Sequence, residues 1–238
     1  MSDVVALTAW LSSSPLAWLA LTVGVWCVAD GAAAAVGRHP LVNPLLISVV
    51  AIVILLKATG TSYAVYSSGV QFIEFLIGPA IVAIAVPLFR NWSTVKRNAL
   101  PIATALLVGS VTAVASVVIM GRMIGLPETI TLSLVPKSAT TGVAMAISQS
   151  LGGEPTMTST FTVTTSIIAA VLLVSFMRLL RIRDLAAIGF AAGLSAHSVG
   201  TARAFQLDPV AGTFSGVALC LNAILTAVIA PIVLAILR

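Results

Sequence analysis

The sequence predicts an all-α fold: a polytopic membrane helical bundle interrupted by broken or re-entrant helices. Three observations carry this reading. Of 238 residues, 59% are hydrophobic and 8% charged, against about 45–50% and about 25% in soluble domains. Apolar runs long enough to cross a hydrocarbon core of about 30 Å, which takes about 20 helical residues, recur along the whole chain. Prolines and polar side chains fall inside several of these runs and not only between them. The length allows about seven or eight passes joined by short loops, and a single integral membrane domain over residues 1–238 is expected.

The net charge of +5 would point to nucleic acid in a soluble protein. Here the basic residues sit at segment ends, where they set orientation in the bilayer, so the surrounding partner is lipid and no nucleic acid is expected. Asp3 precedes the first apolar run and no Lys or Arg does, so the positive region of a cleaved signal peptide is missing and the first segment is expected to stay. Cys27 and Cys220 lie singly in apolar runs, which leaves them as small packing residues, with no metal, cofactor or disulfide role.

Taken in order, residues 2–14 are expected at the interface, and Pro15 opens a first span from Leu16 to about Gly37, ending at Arg38 and His39. Asp30 lies two turns inside it. Asn43-Pro44 opens a second span to Leu56, since proline suits the first helical turn, and Lys57 and Gly60 close it. A third segment runs from Val70 to Phe89, with Glu74 near its start and Gly78-Pro79 in its middle, where proline kinks or breaks a helix. Leu100 to Met120 is a further span. The segment from Glu128 to Leu151 carries Pro136 near its centre, and Gly152-Gly153-Glu154-Pro155 reads as a turn. Met157 to Met177 is rich in threonine and ends in Arg178, Arg181 and Arg183. Leu185 to Phe205 and Val210 to Leu237 complete the chain, separated by Asp208-Pro209.

Charge parity sharpens this outline. The basic loops at 90–97 and 178–183 both belong in the cytoplasm by the positive-inside rule, so an even number of crossings separates them. Three apolar segments lie between, so one does not cross. The proline-broken, lysine-bearing segment 128–151 is the natural choice, as a re-entrant hairpin or a pair of half-helices. Non-helical backbone at membrane depth is tolerated only where protein or a water-filled cavity surrounds it. A faint echo links Gly78-Pro79 and the residues after it to Pro136 and its followers. Such duplicated broken segments are the inverted repeats of transporters, including the elevator type.

Lys137 in apolar surroundings costs about 2.5–3.5 kcal/mol unless solvated, paired or neutral. A half-helix starting after Pro136 would present free N–H groups and the positive end of its dipole to an anion. Lys137, Ser138, Thr140 and Thr141 would add a charge and hydroxyl donors, a set that suits a small carboxylate. The plain alternative is a snorkelling lysine with hydroxyls that cap a helix. A second cluster spans Gly189 to Ala204. Read as one helix, Gly189, Gly193, Ala196 and Gly200 form a small-residue face for close packing. Ser195, His197, Thr201 and Arg203 remain; since a histidine can change charge near neutral pH, His197 suits substrate binding or proton coupling, the plain alternative being a packing or hydrogen-bonded residue. Ser215, Asn222 and Thr226 form a polar stripe in the last span, which either touches ligand or binds helix to helix. Thr158, Thr162, Thr165 and Ser166 share a face with the same two readings. Asp30 and Glu74 are further candidates for proton or cation coupling, the alternative for either being a place at a segment end.

These residues resemble a known family. NPLLIS (Asn43 to Ser48), IGPAIVAIAVPLF (Ile77 to Phe89), PKSATTGVAMAIS (Pro136 to Ser148), AHSVGTARAFQLD (Ala196 to Asp208) and GTFSGVALCLNAILTA (Gly212 to Ala227) look like the LrgB/CidB family of bacterial membrane proteins, in unbroken order over about residues 40–235. The family is named for antiholin-like control of murein hydrolases and cell lysis. A plant relative, fused behind an LrgA-like half, is the plastid glycolate/glycerate translocator, and bacterial relatives are linked to pyruvate transport. The resemblance implies a multi-pass protein of the bacterial inner membrane that carries small monocarboxylates, with an LrgA-type subunit as partner and a homo-oligomer as its assembly. The rival expectation is an antiholin-like regulator. An intramembrane enzyme is not expected. Lys137 and Ser138 superficially form a Ser-Lys pair, but adjacent residues point in different directions on a helix, whereas a nucleophile needs its base within hydrogen-bond reach.

Overall fold

Caps and prolines set where the helices begin and end in the computed structural model, which describes residues 15–37, 42–83 and 85–237. The expectations for residues 2–14 and for Arg38 and His39 lie outside the described residues, as does the side chain of Glu74. Every described element is a helix, and the chain falls into two compact units, Met1–Ala83 and Ile84–Arg238.

In the first unit α1 is Pro15–Ala35, α2 Pro44–Thr59, α3 Tyr63–Gly69 and α4 Gln71–Ala83. Asn43 starts α2 by accepting the N–H of Leu45 at 2.9 Å, ahead of a proline that has no N–H to leave unpaired. Gly60, with φ of 65°, ends it in the left-handed conformation that glycine adopts cheaply. Trp18 and Tyr66 meet edge to face with ring centroids 5.6 Å apart, in a cluster with Ala17 and Val70. Pro79 lies inside α4, which continues past it to Ala83.

The second unit holds α5 Ala85–Arg90, α6 Trp92–Arg97, α7 Ala99–Met123, α8 Glu128–Leu134, α9 Thr141–Leu151, α10 Pro155–Leu179, α11 Leu185–Leu207 and α12 Pro209–Leu237. Its outside is greasy, inverting the usual polar surface, and its inside mixes apolar clusters with buried polar side chains. Val108, Met120, Leu172, Phe176, Ile224 and Ile236 are exposed, whereas Ser110, Thr158, Thr162, Ser166, Ser215, Asn222 and Thr226 are buried. Lipid in place of water explains that inversion, and α1, α7, α10, α11 and α12 are each long and apolar enough to span a membrane. The protein is therefore a multi-pass membrane protein.

α8 and α9 form the re-entrant hairpin that charge parity demands. At 1.5 Å per residue, α8 is about 10 Å long and α9 about 17 Å, so neither crosses a core of about 30 Å. Both outer ends sit at one level. Thr131 packs on Gly121 at the end of α7, and Ser133 Oγ accepts the backbone N–H of Glu154, where α10 starts, at 2.7 Å. Gly153 lies so close to Ser148 and to the backbone of Leu132 and Ser133 that a side chain there would collide.

α11 corrects an expectation. It has the length and apolarity of a span, and the sequence reads it as one continuous element with a glycine face. The backbone breaks at His197, with φ of 35° and ψ of −122°, and the chain folds back. Gly189 and Gly193 abut the backbone of Ala211 and Ser215, so residues 185–196 run parallel to the start of α12. After the break, Thr201 bonds Ser215 and Phe205 packs on Gly212, so residues 198–207 run antiparallel to it. Gly200 accordingly faces Ala192 of the opposite arm, and not a neighbouring span. Hydropathy cannot separate a 23-residue span from two half-length arms of the same composition.

The two hairpins belong to a repeat. α7 and α10 each have 25 residues; each is followed by a short turn and then a hairpin, 128–151 or 185–207, the second copy lying about 56 residues on. Since α7 and α10 run in opposite directions, the hairpins enter from opposite ends. The partner of the Pro136 segment is thus 185–207 and not the Gly78-Pro79 stretch. Val95 clusters with Phe190 and Phe214, and Met177 and Ile182 pack with Ala211, which places both basic loops at the end where α12 begins. Arg122 donates to the carbonyl of Leu237 at the opposite end.

With Cys27 and Cys220 replaced by alanine, Arg183→Cys and Leu207→Cys are expected to react with an impermeant thiol reagent from one side of the membrane, and Thr156→Cys from the other. Labelling of 183 and 207 from opposite sides would mean that α11 crosses.

Candidate functional site

Breaking a helix strips carbonyl groups of their N–H partners, and at membrane depth no water replaces them. The Asn222 side chain, midway along α12, meets both breaks. Its Nδ2 donates to the carbonyl of Ser138, in the break between α8 and α9, at 2.8 Å, and to the carbonyl of Leu194, just before the break in α11, at 3.4 Å. Its Oδ1 accepts from Ser110 Oγ of α7 at 2.6 Å and from Thr226 Oγ1 at 3.3 Å. One buried amide therefore joins two transmembrane helices to both hairpin tips.

From these tips, two half-helices start. α9 begins at Thr141, and its N-cap residue Thr140 makes no side-chain cap bond; the second arm of α11 begins at Ser198. The first N–H groups of each have no partner within the helix and carry its positive dipole end. Lys137 lies half-buried in the first break, and its ammonium has no hydrogen-bond or ion-pair partner among the described residues. Ser138 is buried beside it, and Thr140 and Thr141 are partly exposed. The tips thus carry amide donors, hydroxyls and one cation.

His197 is the residue at which α11 breaks. It is buried, its Nε2 lies 3.5 Å from the carbonyl of Thr162 on α10, and its Nδ1 lies 3.2 Å from Ser198 Oγ. The Thr162 hydroxyl is fully buried with no partner among the described residues. Thr158 donates to Ser148 Oγ at 2.7 Å, so the buried threonine face of α10 touches both hairpins.

The remaining sequence candidates lie elsewhere. Thr201 is buried and bonded to Ser215 at 2.9 Å, and Gly200 permits the close approach of the two arms. Ser195 is exposed and bonds the Ala191 carbonyl of its own helix. Arg203 donates to Gln206 Oε1 at 3.1 Å, well down the second arm. Asp30 lies partly buried on α1 in the first unit. Among the described residues no cluster of three His, Cys, Asp or Glu could hold a metal ion. Ser110 is the residue that sequence reasoning missed: α7 also carries Thr104, Thr112 and Ser116, but Ser110 is the buried hydroxyl among them, and Ser166 holds the same place in the second repeat.

Asn222→Leu leaves the Ser138 and Leu194 carbonyls unpaired and is expected to lower stability by about 1–3 kcal/mol, seen as a reduced Tm in detergent. Gly193→Ala drives a methyl group into the Ser215 backbone and is expected to do at least as much harm. A Tm unchanged in both variants would contradict the packing described.

The chain matches the model of the LrgB-like family over residues 22–236. It is 36% identical to the uncharacterized protein YwbG of Bacillus subtilis strain 168 over 218 residues, 91% of this chain and 96% of that one. To the holin-like protein CidB of Staphylococcus epidermidis strain RP62A it is 32% identical over 197 residues, 83% of this chain and 86% of the relative. To the holin-like protein CidB of Staphylococcus aureus strain Mu50 it is 31% identical over 196 residues, 82% and 86% of the two chains. No solved structure matches significantly. The chain belongs to the LrgB-like family of membrane proteins.

Proposed function

We propose that this protein is a secondary transporter of small monocarboxylates such as glycolate, glycerate or pyruvate, working by alternating access in the bacterial inner membrane. The observation that supports this most directly is the meeting of two oppositely inserted hairpins at Asn222, with Lys137, which has no partner among the described residues, in one of the breaks. Half-helix N-termini at the midplane between inverted repeats bind anionic substrate groups in transporters. The substrate carboxylate would lie on the N–H groups of α9 and of the second arm of α11, with Lys137 as counter-charge and Ser138, Thr140 and Thr141 as donors. His197, between the Thr162 carbonyl and Ser198, would exchange a proton as the hairpins move. Asp30 and Glu74 remain coupling candidates in the first unit. Ser195, Thr201 and Arg203 act in this scheme on the hairpin itself. A homo-oligomer, with an LrgA-type subunit beside it, is the assembly we propose.

A second reading, an antiholin-like regulator of murein hydrolase activity, is favoured by the names of the CidB relatives. It acts through assembly and needs no solute site. Large oligomers with no saturable binding of a monocarboxylate would favour it.

In proteoliposomes holding the purified chain, uptake of labelled glycolate or pyruvate is expected to saturate. A charge-assisted hydrogen bond contributes about 1.5–3 kcal/mol, so Lys137→Ala should raise the half-saturation concentration about tenfold or more. His197→Ala should reduce flux and flatten its dependence on a pH gradient. Uptake unchanged in both variants would remove these residues from the mechanism.

A further inference from the structure

We propose that Arg178, Arg181 and Arg183 form a binding site for the phosphodiester headgroup of an anionic phospholipid in the leaflet at the basic end of the second unit. The three arginines and Ile182 line a hollow of about 440 Å³ where α10 ends. The turn that shapes it is closed by the N–H of Arg181 bonding the Arg178 carbonyl at 3.0 Å and that of Ile182 bonding the Met177 carbonyl at 2.9 Å. Arg181 has φ of 58°, the left-handed conformation in which a helix end ordinarily uses glycine. Ile182 packs inward beside Met177 and Leu173, which pins the turn and leaves the three arginines outward.

None of the three guanidinium groups has a hydrogen-bond or ion-pair partner among the described residues. The adjacent acid is committed elsewhere: Asp184 Oδ1 caps α11 by accepting the Ala187 N–H at 2.7 Å. The planar fork of arginine matches phosphate oxygens in pairs, which an ammonium cannot do. The apolar surroundings select lipid over a free anion. Phe176, Leu179 and Leu180 are exposed directly beside the arginines, where acyl chains would lie. An apolar groove of about 350 Å³, lined by Phe190, Leu194 and Phe214, begins at Asp184, the residue after Arg183. Positive charge alone orients a loop; it does not require a concave cluster of forked donors.

The test is native mass spectrometry of the full chain released from nanodiscs of mixed phosphatidylcholine and phosphatidylglycerol. Retained phosphatidylglycerol is expected in excess of its share of the bilayer. An arginine near a charged leaflet is worth about a fivefold change in affinity, so the triple variant R178Q/R181Q/R183Q should lose the preference. The triple variant R178K/R181K/R183K keeps the charge that orients the loop and loses the forks; it should insert normally yet retain phosphatidylglycerol several-fold less than the native chain. Retention equal to native in both variants would overturn the site, as would full retention in the lysine variant alone. Displacement of the lipid by inorganic phosphate at low millimolar concentration would overturn its assignment to a lipid.

Discussion

The amide of Asn222 is the interaction on which the second unit depends. A helix that stops halfway through a membrane leaves carbonyls with neither N–H nor water, and such backbone survives only where protein supplies the missing donors. Two helices stop halfway here, and one side chain donates to the Ser138 carbonyl in the first break and to the Leu194 carbonyl just before the second, while its oxygen holds Ser110 and Thr226. The hairpins therefore share a support, and the geometry of one tip is tied to that of the other. Replacing the amide by a hydrocarbon would strand both.

The inverted repeat explains why the breaks meet. Each copy carries a hairpin about half the membrane deep, and the copies are inserted from opposite ends, so their tips coincide near the middle. The cost of holding Lys137 there, with no counter-charge among the described residues, becomes intelligible if the counter-charge is an arriving ligand. The glycines serve the scaffold: Gly189 and Gly193 let one arm of the second hairpin lie against α12, and Gly200 lets its two arms close on each other. Backbones this close gain packing that lipid would not supply.

Much of this was legible in the sequence because its causes are local or additive. Composition established the membrane class. Counting basic loops led to the expectation that one segment between them does not cross, and Pro136 with Lys137 made 128–151 the candidate. The second hairpin was not legible, because nothing in 185–207 resembles Pro136: the break falls at His197, held by contacts to α10 and α12 that are remote in sequence. Reading the stretch as one helix put Gly200 on a face with Gly193, when it lies on the opposing arm. The stripe of Ser215, Asn222 and Thr226 was visible as a periodicity, and helix-to-helix glue was one of its two readings. That the glue would join to the backbone of both breaks could not be read, because backbone carbonyls leave no trace in a residue pattern. Arg203 and Ser195 were singled out as polar neighbours of His197, and in the fold Arg203 bonds Gln206 while Ser195 bonds the Ala191 carbonyl.

The central claim is that the two tips together form one carboxylate site. The most direct measurement is protection of single cysteines at the first residue of each half-helix, Thr141→Cys and Ser198→Cys, from a small thiol reagent by added glycolate or pyruvate. The account predicts that one ligand slows modification at both positions, with the same half-protecting concentration and with no protection by an uncharged diol. Protection at one position only, or at neither in a chain that still transports, would contradict it.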